Sequence, residues 1–114
     1  MLNRDGNDFV DFVVKEFEEL AELFKQKNEQ YGGRDPLANF RTGALMEKGF
    51  DTWPAMFDEA KSYQRKHVAH VQNCNIAGPK VDESLKDIAV YSVIMLYMHR
   101  KYKEQVAEVE KSDN

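Results

Sequence analysis

Three carboxylates, Asp82, Glu83 and Asp87, open residues 81–98, VDESLKDIAVYSVIMLYM, the most apolar run in the chain. Glu83 and Asp87 are four residues apart, so on a helix they share one face. That face continues through Val90, Tyr91, Ile94 and Met98. Ionised carboxylates beside an apolar contact surface are costly unless something positive compensates them. Asp82 has a sufficient local explanation as a helix cap, and Glu83 gains from the helix dipole. Five residues into the helix, that account weakens for Asp87. A second acidic set lies in residues 16–24, EFEELAELF. At 3.6 residues per turn, Glu22 falls nearly opposite the apolar stripe and Glu18 well off it, whereas Glu16 sits at its edge. Glu19 is next to Glu16, on a face shared with Phe12 and Leu23. A solvated charged face accounts for most glutamate runs. Two acids from each helix, facing one another across a bundle, would instead make an oxygen-rich pocket for a hard divalent cation. Magnesium takes oxygen ligands, keeps several waters and usually shares its sites with substrate phosphates.

The elements that must position these acids are helices. Proline and glycine cluster in YGGRDP, KGFDTWP and AGPKVD, and these breaks leave four helical pieces. The first runs from Asn7 or Asp8 to Tyr31, with Val10, Val13, Phe17, Leu20 and Phe24 as its apolar stripe and Gly32 and Gly33 as its stop. The second is short, with Asp35 as cap, Pro36 in the first turn and Gly49 past its end. The third starts near Asp51 or Thr52, with Pro54 just inside, and continues to about Cys74. The fourth opens near Val81 or Asp82 and runs to about Val109, with EVEKSDN expected to fray. No strand-type alternation is present. The expected architecture is a single all-α domain over residues 1–114, a four-helix bundle. From Ile88 to Met98 the last helix is apolar nearly all round, as in a helix buried on every side. Four helices of one small chain hardly supply that cover, which predicts a homodimer or homotetramer with this helix near the interface.

Composition narrows the function. With 114 residues, 32% charged, 42% hydrophobic and a net charge of -4, the chain has an ordinary soluble profile. An acidic balance disfavours a nucleic-acid polymer as partner, because that binding rests on Lys and Arg neutralising phosphates. It leaves room for a small phosphorylated ligand whose bound metal inverts the local sign. Cys74 is the single cysteine, so no disulfide forms within the chain, which fits the cytoplasm, and a cysteine-rich zinc site is excluded. The N-terminus has no long apolar segment of signal-peptide type, and the longest apolar run is too short to span a bilayer.

The ordered motifs resemble a known family. Glu16 and Glu19 match an E-x-x-E pair on an early helix, and ESLKD, with Glu83 and Asp87, resembles the later acidic pair of the all-α MazG-like nucleotide pyrophosphohydrolase superfamily. That later pair is usually E-x-x-D; here the spacing is four. KNEQYGG at Lys27 to Gly33, NF at Asn39 and Phe40, RKH at Arg65 to His67 and DIAVY at Asp87 to Tyr91 are similar to small, mostly phage-encoded members. The resemblance covers most of the chain, from Glu16 to Tyr91, and its specificity lies in the order of the motifs.

The resemblance implies magnesium-dependent cleavage of a nucleoside triphosphate between its α and β phosphates, with Glu16, Glu19, Glu83 and Asp87 as metal ligands and catalytic acids. It also implies oligomers with sites near subunit contacts and, for a phage-encoded chain, the host cytoplasm. On this reading Lys27, Lys66 and Arg65 meet phosphate charge, Asn28 and Asn39 read a base or sugar, and Tyr31 or Tyr91 stacks on it. Each residue also has a plainer reading. Lys27 favours the end of a helix dipole, Tyr31 continues the Leu20–Phe24 stripe, Asn39 is a surface residue, and YGG is a cap and turn. His67 lies on the stripe of Met56, Ala60, Tyr63, His70 and Cys74 and reads as a core histidine, and two histidines alone do not make a zinc site. Trp53 reads as packing at a helix start. Two other classes of function remain beside the enzyme: a module that binds a nucleotide without cleaving it, and a structural helical oligomer.

Overall fold

The computed structural model describes residues 6–30 and 35–112, and all the regular structure in them is helical. The helices are α1 (Gly6–Gln30), α2 (Ala38–Lys48), α3 (Trp53–Gln72) and α4 (Val81–Ser112). They belong to two compact units, Met1–Pro36 and Leu37–Asn114. Tyr31 and the glycines expected to stop the first helix lie outside the described residues.

In the first unit, α1 carries the expected stripe, with Asp8 in the first turn and Lys27 in the last, each at the favourable end of the helix dipole. It has no buried residue: Phe9, Phe12, Phe17, Leu23 and Phe24 are all exposed.

The second unit has a core. Phe40 and Ala44 of α2, Ala55, Met56 and Ala60 of α3, and Met98 of α4 are buried together. Tyr63, Tyr91, Ile94 and Met95 pack against them. Small side chains at 44, 55 and 60 let the helix backbones come close, and two methionines fill the irregular space that remains.

The turns that set this geometry have identifiable chemistry. Gly49 ends α2 in the left-handed region at φ 81°, and its N–H donates to the Leu45 carbonyl at 3.0 Å. Thr52 caps α3, its hydroxyl accepting from the Ala55 N–H at 3.4 Å, with Pro54 in the first turn.

Four expectations are corrected. Asp35 does not cap α2: the residue before it is Leu37, which makes no side-chain cap, and Pro36 sits in the preceding turn. α3 stops at Gln72, short of Cys74, with Asn73 as its C-cap: the ladder tightens there, the Cys74 N–H donating to the Val71 carbonyl at 3.3 Å instead of to that of His70. Asp82 lies within the first turn of α4, where its carboxylate accepts from the Glu83 N–H at 2.9 Å, and Lys80 is the residue that precedes the helix. The tail expected to fray continues as helix to Ser112.

The all-round apolar stretch of α4 is covered on one side only. Trp53, the first residue of α3, meets Tyr97 edge-on at 6.0 Å, so α4 beyond about that level has no α3 opposite it. Val93, Leu96 and Tyr97 stay exposed, as do Tyr102, Val106 and Val109 further on. None of the described helices is long and apolar enough to cross a membrane.

Candidate functional site

The antiparallel pair α3 and α4 opens into a cleft near the turn that joins them. Lys66, His67 and His70 line it from α3, Lys80 from the turn, and Glu83, Ser84 and Asp87 from α4, around a volume of about 260 Å³. Helical spacing explains the convergence: 66, 67 and 70 lie within one turn of α3, and 83, 84 and 87 within one turn of α4. The cleft thus combines two lysines, two histidines and two carboxylates beside the N-terminal turn of a 32-residue helix. That end of a helix carries partial positive charge and free N–H groups, which favour an anion.

The two histidines do different work. His70 Nε2 is 2.9 Å from the Pro79 carbonyl oxygen, and since a carbonyl only accepts, the ring N–H donates and clamps the turn onto α3. His67 Nε2 lies 3.6 Å from Asp87 Oδ2, while its ring stacks on Tyr91 with centroids 5.9 Å apart and planes at 26°. His67 was expected in the core. Its side chain is instead 29% exposed, because the stripe it continues runs out from under α2 at this level and opens into the cleft.

Behind this front is an aromatic wall. Tyr91 meets Phe40 edge-on at 6.4 Å and Tyr63 at 6.4 Å, and Phe40 meets Tyr63 at 5.6 Å. Burial, and then the neighbouring Asp87 charge, push the Tyr91 hydroxyl above its usual range. Tyr91, expected to stack on a base, therefore has a protein partner on its ring already.

Lys80 is the one described non-glycine residue in the left-handed region, at φ 62°. A side chain there disfavours the fold by roughly 1 kcal/mol relative to glycine. A lysine at that position, with its side chain lining a cleft, suits anion binding better than it suits the turn.

Of the residues singled out from the sequence, Lys66, Glu83 and Asp87 come together here, with Tyr91 one turn behind. Asn39 is on α2 and offers its backbone carbonyl to the Tyr63 hydroxyl at 3.3 Å. Glu16, Glu19, Lys27 and Asn28 belong to α1 in the other unit, where the Asn28 amide donates to the Phe24 carbonyl of its own helix at 2.9 Å. Tyr31 lies outside the described residues. Sequence reasoning missed Lys80 and Ser84 and placed His67 and His70 in the core. For Lys80 a signal was available, a cation immediately before a long helix that opens with carboxylates.

Compared with protein-family models, with curated proteins and with solved structures, the chain matches none of them.

The donor set indicates what kind of metal the cleft suits. Among the described residues no three His, Cys, Asp or Glu side chains are gathered as metal ligands would be. A zinc ion held by protein alone needs three or four such groups. Two carboxylates one turn apart fit magnesium, which is typically held by one or two carboxylates together with waters and substrate phosphates.

Proposed function

We propose that this chain is a magnesium-dependent nucleoside triphosphate pyrophosphohydrolase, a MazG-like four-helix protein acting as a homodimer or homotetramer in the cytoplasm. The observation that supports it most is the gathering of Glu83 and Asp87 with Lys66, Lys80 and His67 in one cleft at the start of α4. A polyphosphate needs cations for its oxygens and carboxylates for its metal, and the cleft offers both.

In this reading Glu83 and Asp87 would hold magnesium, and Glu16 and Glu19 are metal ligands by the family resemblance alone. When bound, magnesium neutralises phosphate charge and makes water more acidic. Lys66 and Lys80 orient the polyphosphate through charge-assisted hydrogen bonds, and the first turn of α4 adds its dipole. His67 keeps the Asp87 carboxylate turned toward the cleft. Whichever of these four acids the metal does not engage would accept a proton from the water as it attacks the α phosphorus and pyrophosphate leaves. Because the cleft has two carboxylates, metal and nucleotide are expected to bind together, each weak without the other.

Incubation with magnesium and a panel of nucleoside triphosphates, with pyrophosphate as the readout, tests this. Release of pyrophosphate and monophosphate is the expected result. A second reading, binding without cleavage, is favoured by the four-residue spacing of Glu83 and Asp87. It prevails if a nucleotide raises the melting temperature in magnesium and no pyrophosphate appears. If neither is seen, the chain is a structural helical oligomer and the enzyme reading is wrong.

A further inference from the structure

The core face of α4 outlasts the helix that covers it. Tyr91, Ile94 and Met95 pack against the core and Met98 is buried, but Trp53, at the start of α3, meets α4 at Tyr97. The same face runs on for roughly four more turns, about 21 Å of helix, to Ser112. Counted from Met98 in steps of four and three, it presents Tyr102, Gln105 and Val109, with Val106 beside them. Tyr102, Val106 and Val109 are all exposed. The charges along this overhang are ordered. Arg100, Lys101 and Lys103 come first, then Glu104, Glu108 and Glu110, with Lys111 the exception. Lys101 and Glu108 are two turns apart, so both flank the stripe on the same side. Lys101 leans on the Tyr97 ring at 5.6 Å and meets Glu104 of its own helix at 3.4 Å, an exposed pair too weak to withhold it from a better partner.

We propose that this overhang is a seam between two copies of the chain, in which α4 of a second copy lies antiparallel along it. The order of the charges selects that occupant. A parallel copy would lay basic end on basic end and acidic end on acidic end. A copy running the other way sets Lys101 beside Glu108 of the partner subunit and, by the twofold axis, Glu108 beside Lys101 of the partner subunit. A wholly acidic or wholly basic target helix would satisfy one end of the seam and repel the other. The same register brings Tyr102 against Val106 of the partner subunit, so the exposed stripes cover each other. It also brings Gln105 of both copies close to the axis, where one side-chain amide donates to the other. The single polar residue of the stripe is thereby partnered, and it fixes the register. The seam deepens the oligomer of the proposed function and rests on that part of it alone; no nucleotide or metal enters it.

The test is sedimentation equilibrium of the full chain and its variants, at low salt and over a range of protein concentrations. Wild type is expected to associate. Lys101→Glu and Glu108→Lys should each weaken the association on the order of tenfold or more, because each sets like charges together twice in a twofold seam. The double variant, Lys101→Glu with Glu108→Lys, exchanges the charges and should restore it, a rescue that only direct contact between the two residues predicts. Tyr102→Glu should split the seam. None of these positions is in the core, so helix content by circular dichroism should stay at the wild-type level. Wild type that is monomeric at every concentration overturns both the seam and the oligomer of the proposed function. An oligomer indifferent to the single reversals, or one that the double reversal fails to restore, overturns the seam and leaves that oligomer standing.

Discussion

α1 and α3 are written in the same amphipathic code and end differently. α1 has the fuller stripe, with Val10, Val13, Phe17, Leu20 and Phe24, yet buries none of its residues. α3 has a sparser one and buries Ala55, Met56, Glu59 and Ala60 between α2 and α4. The difference lies in partners. Around α3, alanines and Gly43 admit close neighbours and defined turns bring α2 and α4 back to it. The stripe of a helix states that it is made to be covered, and the residues that let another backbone approach decide by what. The acids divide along the same line. Glu83 and Asp87 stand among lysines and histidines in a cleft, whereas Glu16 and Glu19 sit on a helix without a core.

The largest expected effect breaks or upholds that division of the acids. Asp87→Asn and Glu83→Gln should each lower pyrophosphate release on the order of 10²-fold, the scale on which loss of one electrostatic stabiliser slows an active site. Glu16→Gln and Glu19→Gln should do the same, and Glu18→Gln and Glu22→Gln should change nothing. Full activity in the Glu16 and Glu19 variants would make α1 a solvated acidic face and leave the cleft of α3 and α4 as the whole metal site.

The next effect is on stability. Met98, 1% exposed, is among the largest fully buried side chains, so Met98→Ala should cost about 2–5 kcal/mol by denaturant melting. Phe17, 57% exposed, should cost less than about 0.5 kcal/mol as Phe17→Ala. A cost for Phe17 near that of Met98 would mean the α1 stripe is covered in solution, and a dependence on protein concentration would identify the cover as a second copy.

Much of this fold was legible in the sequence because its punctuation is chemical. Gly49, Thr52 and Pro54 mark the turn between α2 and α3 where expected, and the period of the apolar residues marks four helices. Boundaries were missed where backbone hydrogen bonds compete without a distinctive side chain, as at Leu37 and Asn73. At the site, spacing put Glu83 and Asp87 on one face, whereas Lys66 came only from the family resemblance. It could not assign His67, because a helix stripe continues in sequence past the point where its covering helix ends. Nor could it reveal Glu59, whose burial depends on a glycine sixteen positions away on another helix, Gly43, where a Cβ would come within 2.5 Å of its Oε2. Helical period is local, whereas which part of a stripe is roofed is tertiary.

Lys80 offers a smaller and two-sided test of the contrast between a packed unit and a working cleft. Lys80→Gly relieves the left-handed backbone and should leave the fold as stable or about 1 kcal/mol more so, while weakening binding of a magnesium–nucleotide mixture. Loss of stability instead would make Lys80 a structural residue and remove it from the site.

The smallest effect separates two neighbours on α3. Asp58 faces water at 45% side-chain exposure, and hydrogen bonds from Lys48 first, then Lys61, hold its carboxyl below the usual 3.8. Its folded-state value is depressed, so its contribution is complete above the ordinary aspartate range and is lost as pH falls through the folded value. Exposure and salt screening limit that contribution to about 0.2–1 kcal/mol. Asp58→Asn should therefore destabilise slightly at neutral pH, less in high salt, and not at all in strong acid. Glu59, the next residue, should behave with the opposite sign, its neutral variant gaining on the wild type as pH rises. The two signs follow from which way each side chain points off one helix, Asp58 toward lysines in water and Glu59 into the α2–α3 contact, where burial raises its carboxyl above the usual range. Equal signs at 58 and 59 would show that burial of Glu59 is relieved in solution and that α2 does not hold its place against α3.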